Sequence, residues 1–252
     1  MLAKNKYDFR KGKERVEEIL KNDCVVEEKN MIPNDENFTF NNSYRSWITS
    51  IFVDIRNSTD LCINKDSVVI SKVFRSFTSE VIEILNDGDD FMKEIGIRGD
   101  CVYAIYSTPF KENIMEVVNK AFYVNTFMKM LNRLLERQKM PNIKVGIGIA
   151  TSNDLIVKAG RKNTGINSKI WIGKAVPLAS KYSSLGNKNG NKPLIFSSLC
   201  YHNFIEELEK IDKNENPKSW FELKYDEYDD YYYTADIVKS EFDKWISDGM
   251  RT

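Results

Sequence analysis

Apolar and polar positions fall into blocks whose periods predict the elements. Residues 8–29 are charged on nearly every turn, with Val16, Ile19 and Leu20 as a thin apolar stripe, and read as a charged helix. The Asn-rich stretch 30–46 reads as a linker. From Trp47 to Val53 the chain is apolar and β-branched, the pattern of a buried strand. Asn57, Ser58 and Thr59 then supply helix-start residues, and helical periodicity runs on to about Leu85. Asn86-Asp87-Gly88-Asp89 has the composition of a turn. Phe91 to Gly96 and Cys101 to Tyr106 read as two strands of a hairpin around a tight Gly99-Asp100 corner.

Residues 111–138 form the longest helical pattern, with Ile114, Val117, Val118, Ala121, Phe122, Val124, Phe127, Met128 and Leu131 on one side and Pro141 ending it. Ile143 to Ala150 alternates Val145, Ile147 and Ile149 with glycines as a strand, and Leu155 to Ala159 is expected to pair with it. Ile170 to Ile172 is a further short strand. Pro177 opens a helix to about Tyr182, at a point where its missing amide hydrogen costs nothing. The order β-α-β-β-α-β with a smaller αββ tail is the split ferredoxin-like plan of an α+β domain. The expected division is an N-terminal helix and linker over 1–45, a catalytic domain over 46–240 and a tail over 241–252.

Composition narrows the partners. Lys plus Arg equals Asp plus Glu at 37 each, so the chain lacks the basic footprint of a protein that grips a phosphate backbone, and no nucleic acid is expected as main partner. Cys24, Cys62, Cys101 and Cys200 are scattered, without the spacing of a zinc site or a disulfide framework. The charged N-terminus has no signal-peptide core and no apolar run is long enough to cross a bilayer, so the expected place is the cytoplasm, away from membranes.

Three segments carry candidate chemistry. In Phe52-Val53-Asp54-Ile55-Arg56-Asn57-Ser58-Thr59 an aspartate ends a strand and a helix begins. A carboxylate there offers hard oxygens to Mg²⁺, and helix-start amides can face a phosphate. Taken alone, Asp54 reads as well as an ordinary helix cap. Ile97-Arg98-Gly99-Asp100-Cys101-Val102-Tyr103 places Asp100 at a hairpin tip, which alone is plain turn chemistry. Together the two are stronger, because the end of the first strand and the tip of the next hairpin can lie side by side in a β-α-β-β order. In Trp171-Ile172-Gly173-Lys174-Ala175-Val176-Pro177-Leu178-Ala179-Ser180-Lys181, Lys181 stands one helical turn beyond Pro177. A solvated helix lysine is the plain alternative.

The ordered set over roughly 46–200 resembles the class III nucleotidyl cyclases, the adenylyl and guanylyl cyclases. FVDIRNST is similar to their first metal motif, RGDCVYAIY to the second, VGIGIA with VKAG to the central hairpin, and IWIGKAVPLASK to the helix that reaches into a partner's site. The resemblance implies that Asp54 and Asp100 ligate two Mg²⁺ or Mn²⁺ ions per active site, with Ile55 adding its backbone carbonyl. It implies that Arg56, Asn57, Ser58 and Thr59 hold the phosphates of a nucleoside triphosphate, and that the sites lie at a homodimer interface. The metals would prepare the ribose 3′-hydroxyl for in-line attack and neutralise the triphosphate.

The departures from that family point to the substrate. The purine-reading positions fall on Gly96 and Ile170, which offer no side-chain hydrogen bond; a slip of one or two residues would bring Ser168 or Lys169 there instead. The ribose-orienting Asn is replaced by Pro177, and the transition-state Arg by Lys181, a point charge in place of a planar fork. In this the chain resembles the pyrimidine cyclases of the Pycsar anti-phage system. That implies UTP, or CTP, converted to cUMP or cCMP and sensed by a separate effector protein. Arg98 is a candidate donor to a pyrimidine carbonyl, with a surface or phosphate contact as its alternative. Lys224 lies near the family's triphosphate lysine, though a solvated strand lysine fits it better. The rival readings are an adenylate cyclase with an atypical purine pocket, an inactive ligand-binding module on the same fold, and a polymerase-like palm, which would be expected to carry an adjacent acidic pair at the hairpin.

Overall fold

Two long strands organise the molecule, and they are long because each finds a partner over its whole length. The computed structural model describes residues 7–63, 66–88, 91–161, 165–211, 216–227 and 230–251. Strand β2 (Asn42–Ile55) pairs antiparallel with β5 (Val145–Gly160) from Ser43↔Val157 to Ile55↔Val145. The expected pair Ile143–Ala150 and Leu155–Ala159 is therefore one continuous strand. Ser152-Asn153-Asp154 makes no turn, because β2 supplies ladder partners straight through it and Asp154 turns inward to serve another element.

The N-terminal segment also differs from its reading. Helix α1 is Phe9–Lys21, capped by the Asp8 carboxylate, and stops well short of residue 29. Val25 and Val26 belong to β1 (Val25–Glu28), which pairs parallel with the start of β2; β-branched residues beside an open sheet edge prefer the ladder to the helix. Between β1 and β2 the chain is anchored, with Ile32 and Phe38 buried in a small cluster with Tyr44, Ile48 and Ile156.

After β2 come α2 (Ser58–Ile63) and α3 (Ser67–Asn86), the latter capped by Asp66. The hairpin β3 (Met92–Arg98) and β4 (Cys101–Ser107) follows, then α4 (Lys111–Arg137). Past β5 lie β6 (Asn167–Ile172) and α5 (Ala175–Leu185). Pro177 is the third residue of α5, still in the first turn, where an amide has no helical acceptor in any case. Strand β7 (Leu194–Ser197) precedes α6 (Ser198–Ile211), β8 (Phe221–Tyr225), β9 (Tyr231–Ala235) and α7 (Ser240–Ser247). The αββ tail is α6, β8 and β9. Asp89 of the expected turn lies outside the described residues.

The sheet runs β3-β4-β2-β5-β7-β9-β8, with β1 on β2 and β6 on β5. Strand alternation sends Ile51, Val53 and Ile55 to one face, where they meet Phe77 and Val81 of α3, Val117 and Val124 of α4 and Phe204 of α6. The opposite face carries Phe52, Cys101, Tyr103 and Ala150 and is met by α5 through Val176 and Ala179. This is the α+β plan that the order of elements predicts.

Candidate active site

Register brings the two aspartates together. Asp54, next to last in β2, has its Cα opposite Cys101 of β4, the residue that follows Asp100. Arg98 and Cys101 pair with each other, so Gly99-Asp100 is a two-residue corner, and Gly99 sits at φ +65°, where a Cβ would be strained. Asp54 and the corner that carries Asp100 are therefore neighbours in the sheet. The Arg56 guanidinium donates to Asp54 Oδ2, to the Asp54 carbonyl and, from Nη1, to the Ser184 carbonyl at 2.6 Å. Burial draws the Arg56 pKa down, and the charge of Asp100 opposes that shift. The Cys101 thiol beside them is pushed up to about 11, chiefly by burial.

The donor set suits a hard divalent cation: the Asp54 carboxylate, already on the Arg56 guanidinium, beside the corner that carries Asp100 and next to a strand-end carbonyl at Ile55. Among the described residues no three His, Cys, Asp or Glu side chains form a metal cluster, so any ion here would complete its shell with substrate and water oxygens. The Arg56 amide is already committed to the Lys144 carbonyl at 2.8 Å. That leaves Asn57, Ser58 and Thr59 as the backbone donors of the turn. Asn57 holds φ at +54°, a left-handed kink that Asn tolerates better than most residues, and thereby swings the chain from strand into α2.

Helix α5 is seated by two devices. Gly146 and Gly148 lie under it so closely that a Cβ at either would strike helix backbone, at Ser183 O and Ala179 O respectively. At its start, the fully buried Asp154 accepts from Lys174 N at 3.1 Å and Ala175 N at 3.3 Å. A buried carboxylate on helix-start amides is worth about 1–2 kcal/mol. Sequence reasoning missed Asp154 because Ser-Asn-Asp has turn composition.

Pro177 and Lys181 lie on the exposed side of α5. Lys181 Nζ pairs with Asp226, on the β8–β9 connection, at 2.6 Å, and that bond raises its pKa. Within one chain, therefore, Asp54 pairs with Arg56 and Lys181 pairs with Asp226. Lys224 pairs with Glu222 along β8. Arg98 is exposed at the hairpin end.

Gly96 lies opposite Tyr103. A Cβ there would come within 2.8 Å of the Tyr103 ring, so the position has no room for a reading side chain while that ring is in place. On β6, Ile170 and Ser168 are exposed, whereas Lys169 and Trp171 turn toward β3. Of the two neighbours weighed beside Ile170, Lys169 is the one in contact with β3. The other member missed from sequence is Glu94, which accepts from Tyr103 Oη and Trp171 Nε1, both at 2.8 Å. Its signal was a charged residue at an inward position of a strand.

Residues 41–191 match the family described as "Adenylate and Guanylate cyclase catalytic domain". A protein named uridylate cyclase from Treponema porcinum is 49% identical over 97% of this chain and 82% of its own length. Another of that name, from Gulbenkiania mobilis, is 32% identical over 72% of this chain and 73% of its own. Among solved structures, the adenylyl cyclase CyaB from P. aeruginosa superposes with a TM-score of 0.60 at 18% identity, covering 77% of this chain and 95% of that one. With that fold and those matches, the chain belongs to the class III family of adenylate and guanylate cyclase catalytic domains and is a nucleotidyl cyclase.

Proposed function

We propose that this protein is a uridylate cyclase, converting UTP to 3′,5′-cyclic UMP and pyrophosphate. The observation that supports the reading is the register that sets Asp54 beside the hairpin corner of Asp100, in a chain 49% identical to a protein named uridylate cyclase. Asp54, Asp100 and the Ile55 carbonyl would hold Mg²⁺ or Mn²⁺, two ions per site. When bound, the metals would acidify the ribose 3′-hydroxyl and neutralise the triphosphate. Asn57, Ser58 and Thr59 orient the phosphates through amides and the Thr59 hydroxyl, and Arg56 adds its charge beside them. The 3′-oxygen forms the new bond to the α-phosphorus, the bond to the β-phosphate oxygen breaks, and the hydroxyl proton passes to solvent.

Lys181 and Pro177 belong, in this reading, to the site of a second copy, with Lys181 stabilising charge that develops in the transition state. Residues 46–240 act as the catalytic unit, with 1–45 and 241–252 as flanking segments. A cytoplasmic alarm role against phage, with a separate cyclic-nucleotide effector, is the biological setting we propose. Among the described residues no helix is long and apolar enough to cross a membrane.

Incubation with each of the four nucleoside triphosphates and Mn²⁺ tests the substrate. Cyclic UMP is expected as main product; a predominance of cyclic AMP or cyclic CMP overturns the uridylate assignment. A mixing experiment tests the shared site. Asp54→Asn and Lys181→Ala, each impaired alone, should together recover up to about a quarter of wild-type turnover, because a random heterodimer carries one intact site. Absence of recovery places Lys181 outside the partner's site.

A further inference from the structure

The face of the sheet that bears Asp54 also bears a second built feature, lying between β3 and β6. It is a cavity of about 410 Å³ whose lining includes Lys93, Glu94, Tyr103, Asn167 and Lys169. The Tyr103 ring is fixed from three sides. It stacks on Phe52 at 5.2 Å between centroids and 16° between planes. It covers Gly96, where any side chain would collide with it, and its hydroxyl donates to Glu94. Burial and the bond to Glu94 push the Tyr103 pKa up to about 12, so the phenol remains a donor at any physiological pH. Glu94 is held in turn by Trp171 Nε1.

Lys169 supplies the complementary chemistry. Its side chain is only 11% exposed, in the company of an Asp35 carboxylate that is 81% exposed. Its ammonium donates to Asp35 at 2.7 Å and to the Lys93 carbonyl at 3.0 Å, which uses two of the three hydrogens it can donate. The ammonium also lies over the Trp171 ring, 5.8 Å from its centroid, at the cavity wall. A lysine held at a cavity wall recognises a carbonyl oxygen. Uracil presents two, at C2 and C4, and cytosine one, at C2; adenine presents none.

Taking the nucleotide cyclase reading above as its basis, we propose that Tyr103, locked over Gly96 by Glu94, is the specificity-determining residue that restricts this cavity to one-ring bases, while Lys169 donates to the base carbonyl. The ring fills the volume that a side chain at position 96 or the second ring of a purine would need. Glu94 is a positioning residue: it reaches the base only through the ring it fixes. Guanine and adenine are both rejected by size.

The test measures kcat/KM for UTP, ATP and GTP in wild type, Tyr103→Phe, Tyr103→Leu, Tyr103→Ala and Lys169→Met. Tyr103→Phe keeps the ring but loses its bond to Glu94, and should lower the UTP:ATP ratio by about threefold. Tyr103→Leu and Tyr103→Ala should lower it at least tenfold, in part through a gain with ATP or GTP, a result that general loss of folding cannot mimic. Lys169→Met should reduce UTP use at least tenfold with no gain for ATP. Titration calorimetry with 3′-deoxy-UTP and 3′-deoxy-ATP reads the same preference without turnover. A wild type that makes no cyclic nucleotide but binds the uridine analogue in a Tyr103-dependent way would sink the uridylate reading and keep this one. Unchanged ratios in the Leu and Ala variants, by turnover and by binding, overturn the assignment of Tyr103.

Discussion

Asp54→Asn and Asp100→Asn should each abolish cyclic nucleotide production, by about a thousandfold or more, with the overall fold retained. The amide is the same size as the carboxylate but loses the charge that binds a divalent cation. Removing one such charge from a preorganised site costs at least as much as removing one oxyanion donor, about a hundredfold to a thousandfold. The two variants should differ in stability. Asp54 receives Arg56 directly, and the Arg56 side chain is only 6% exposed, so Asp54→Asn leaves a buried guanidinium short of its anion. That should cost about 1–3 kcal/mol. Asp100 acts on Arg56 through its charge at a half-buried corner, and its loss should cost less than 1 kcal/mol. Activity assays with each triphosphate, beside urea unfolding of metal-free protein, check both parts. Residual turnover above about a tenth in either variant removes that aspartate from the metal site.

Much of this arrangement was legible in the chain. Asp54 at the end of an apolar run and Asp100 after Gly99 were visible because strand ends and glycine corners have local signatures. Their juxtaposition followed from topology alone, since a first strand flanked by the second hairpin strand must carry its end to the hairpin tip. Helix α4 was legible for a similar reason: its apolar positions recur at helical spacing from Ile114 to Leu131.

What escaped was decided by distant parts of the chain. Val25 and Val26 become a strand only because the edge of β2 is there to receive them. Asp154 looked like turn chemistry, yet β2 holds that stretch extended and its carboxylate caps a helix twenty residues on. Glu94 and Trp171, far apart in sequence, meet only when β3 and β6 come to face each other. Each is a contact between elements, which a local pattern does not encode.

Gly148→Ala should be among the most damaging single substitutions away from the aspartates, costing about 3 kcal/mol or more. The added methyl would meet Ala179 O, Ser183 N and the Tyr182 carbonyl carbon, all backbone atoms of α5. A flexible side chain could move aside; a helix backbone pinned by the Asp154 cap and the burial of Ala175, Ala179 and Tyr182 yields only as a unit. Lifting α5 separates Ala179 from Phe52 and Ala150, so packing is lost across the face that carries Asp54. Gly99→Ala is the control. Gly99 has φ +65° and open space around it, so its cost is backbone strain alone, about 1–2 kcal/mol. Urea unfolding should rank Gly148→Ala well below Gly99→Ala, and turnover should fall in the same order after both proteins are assayed at temperatures where they are folded. Equal stabilities would mean that α5 rides on β5 loosely enough to accept a methyl group, and the close glycine contact would lose its role in placing Lys181.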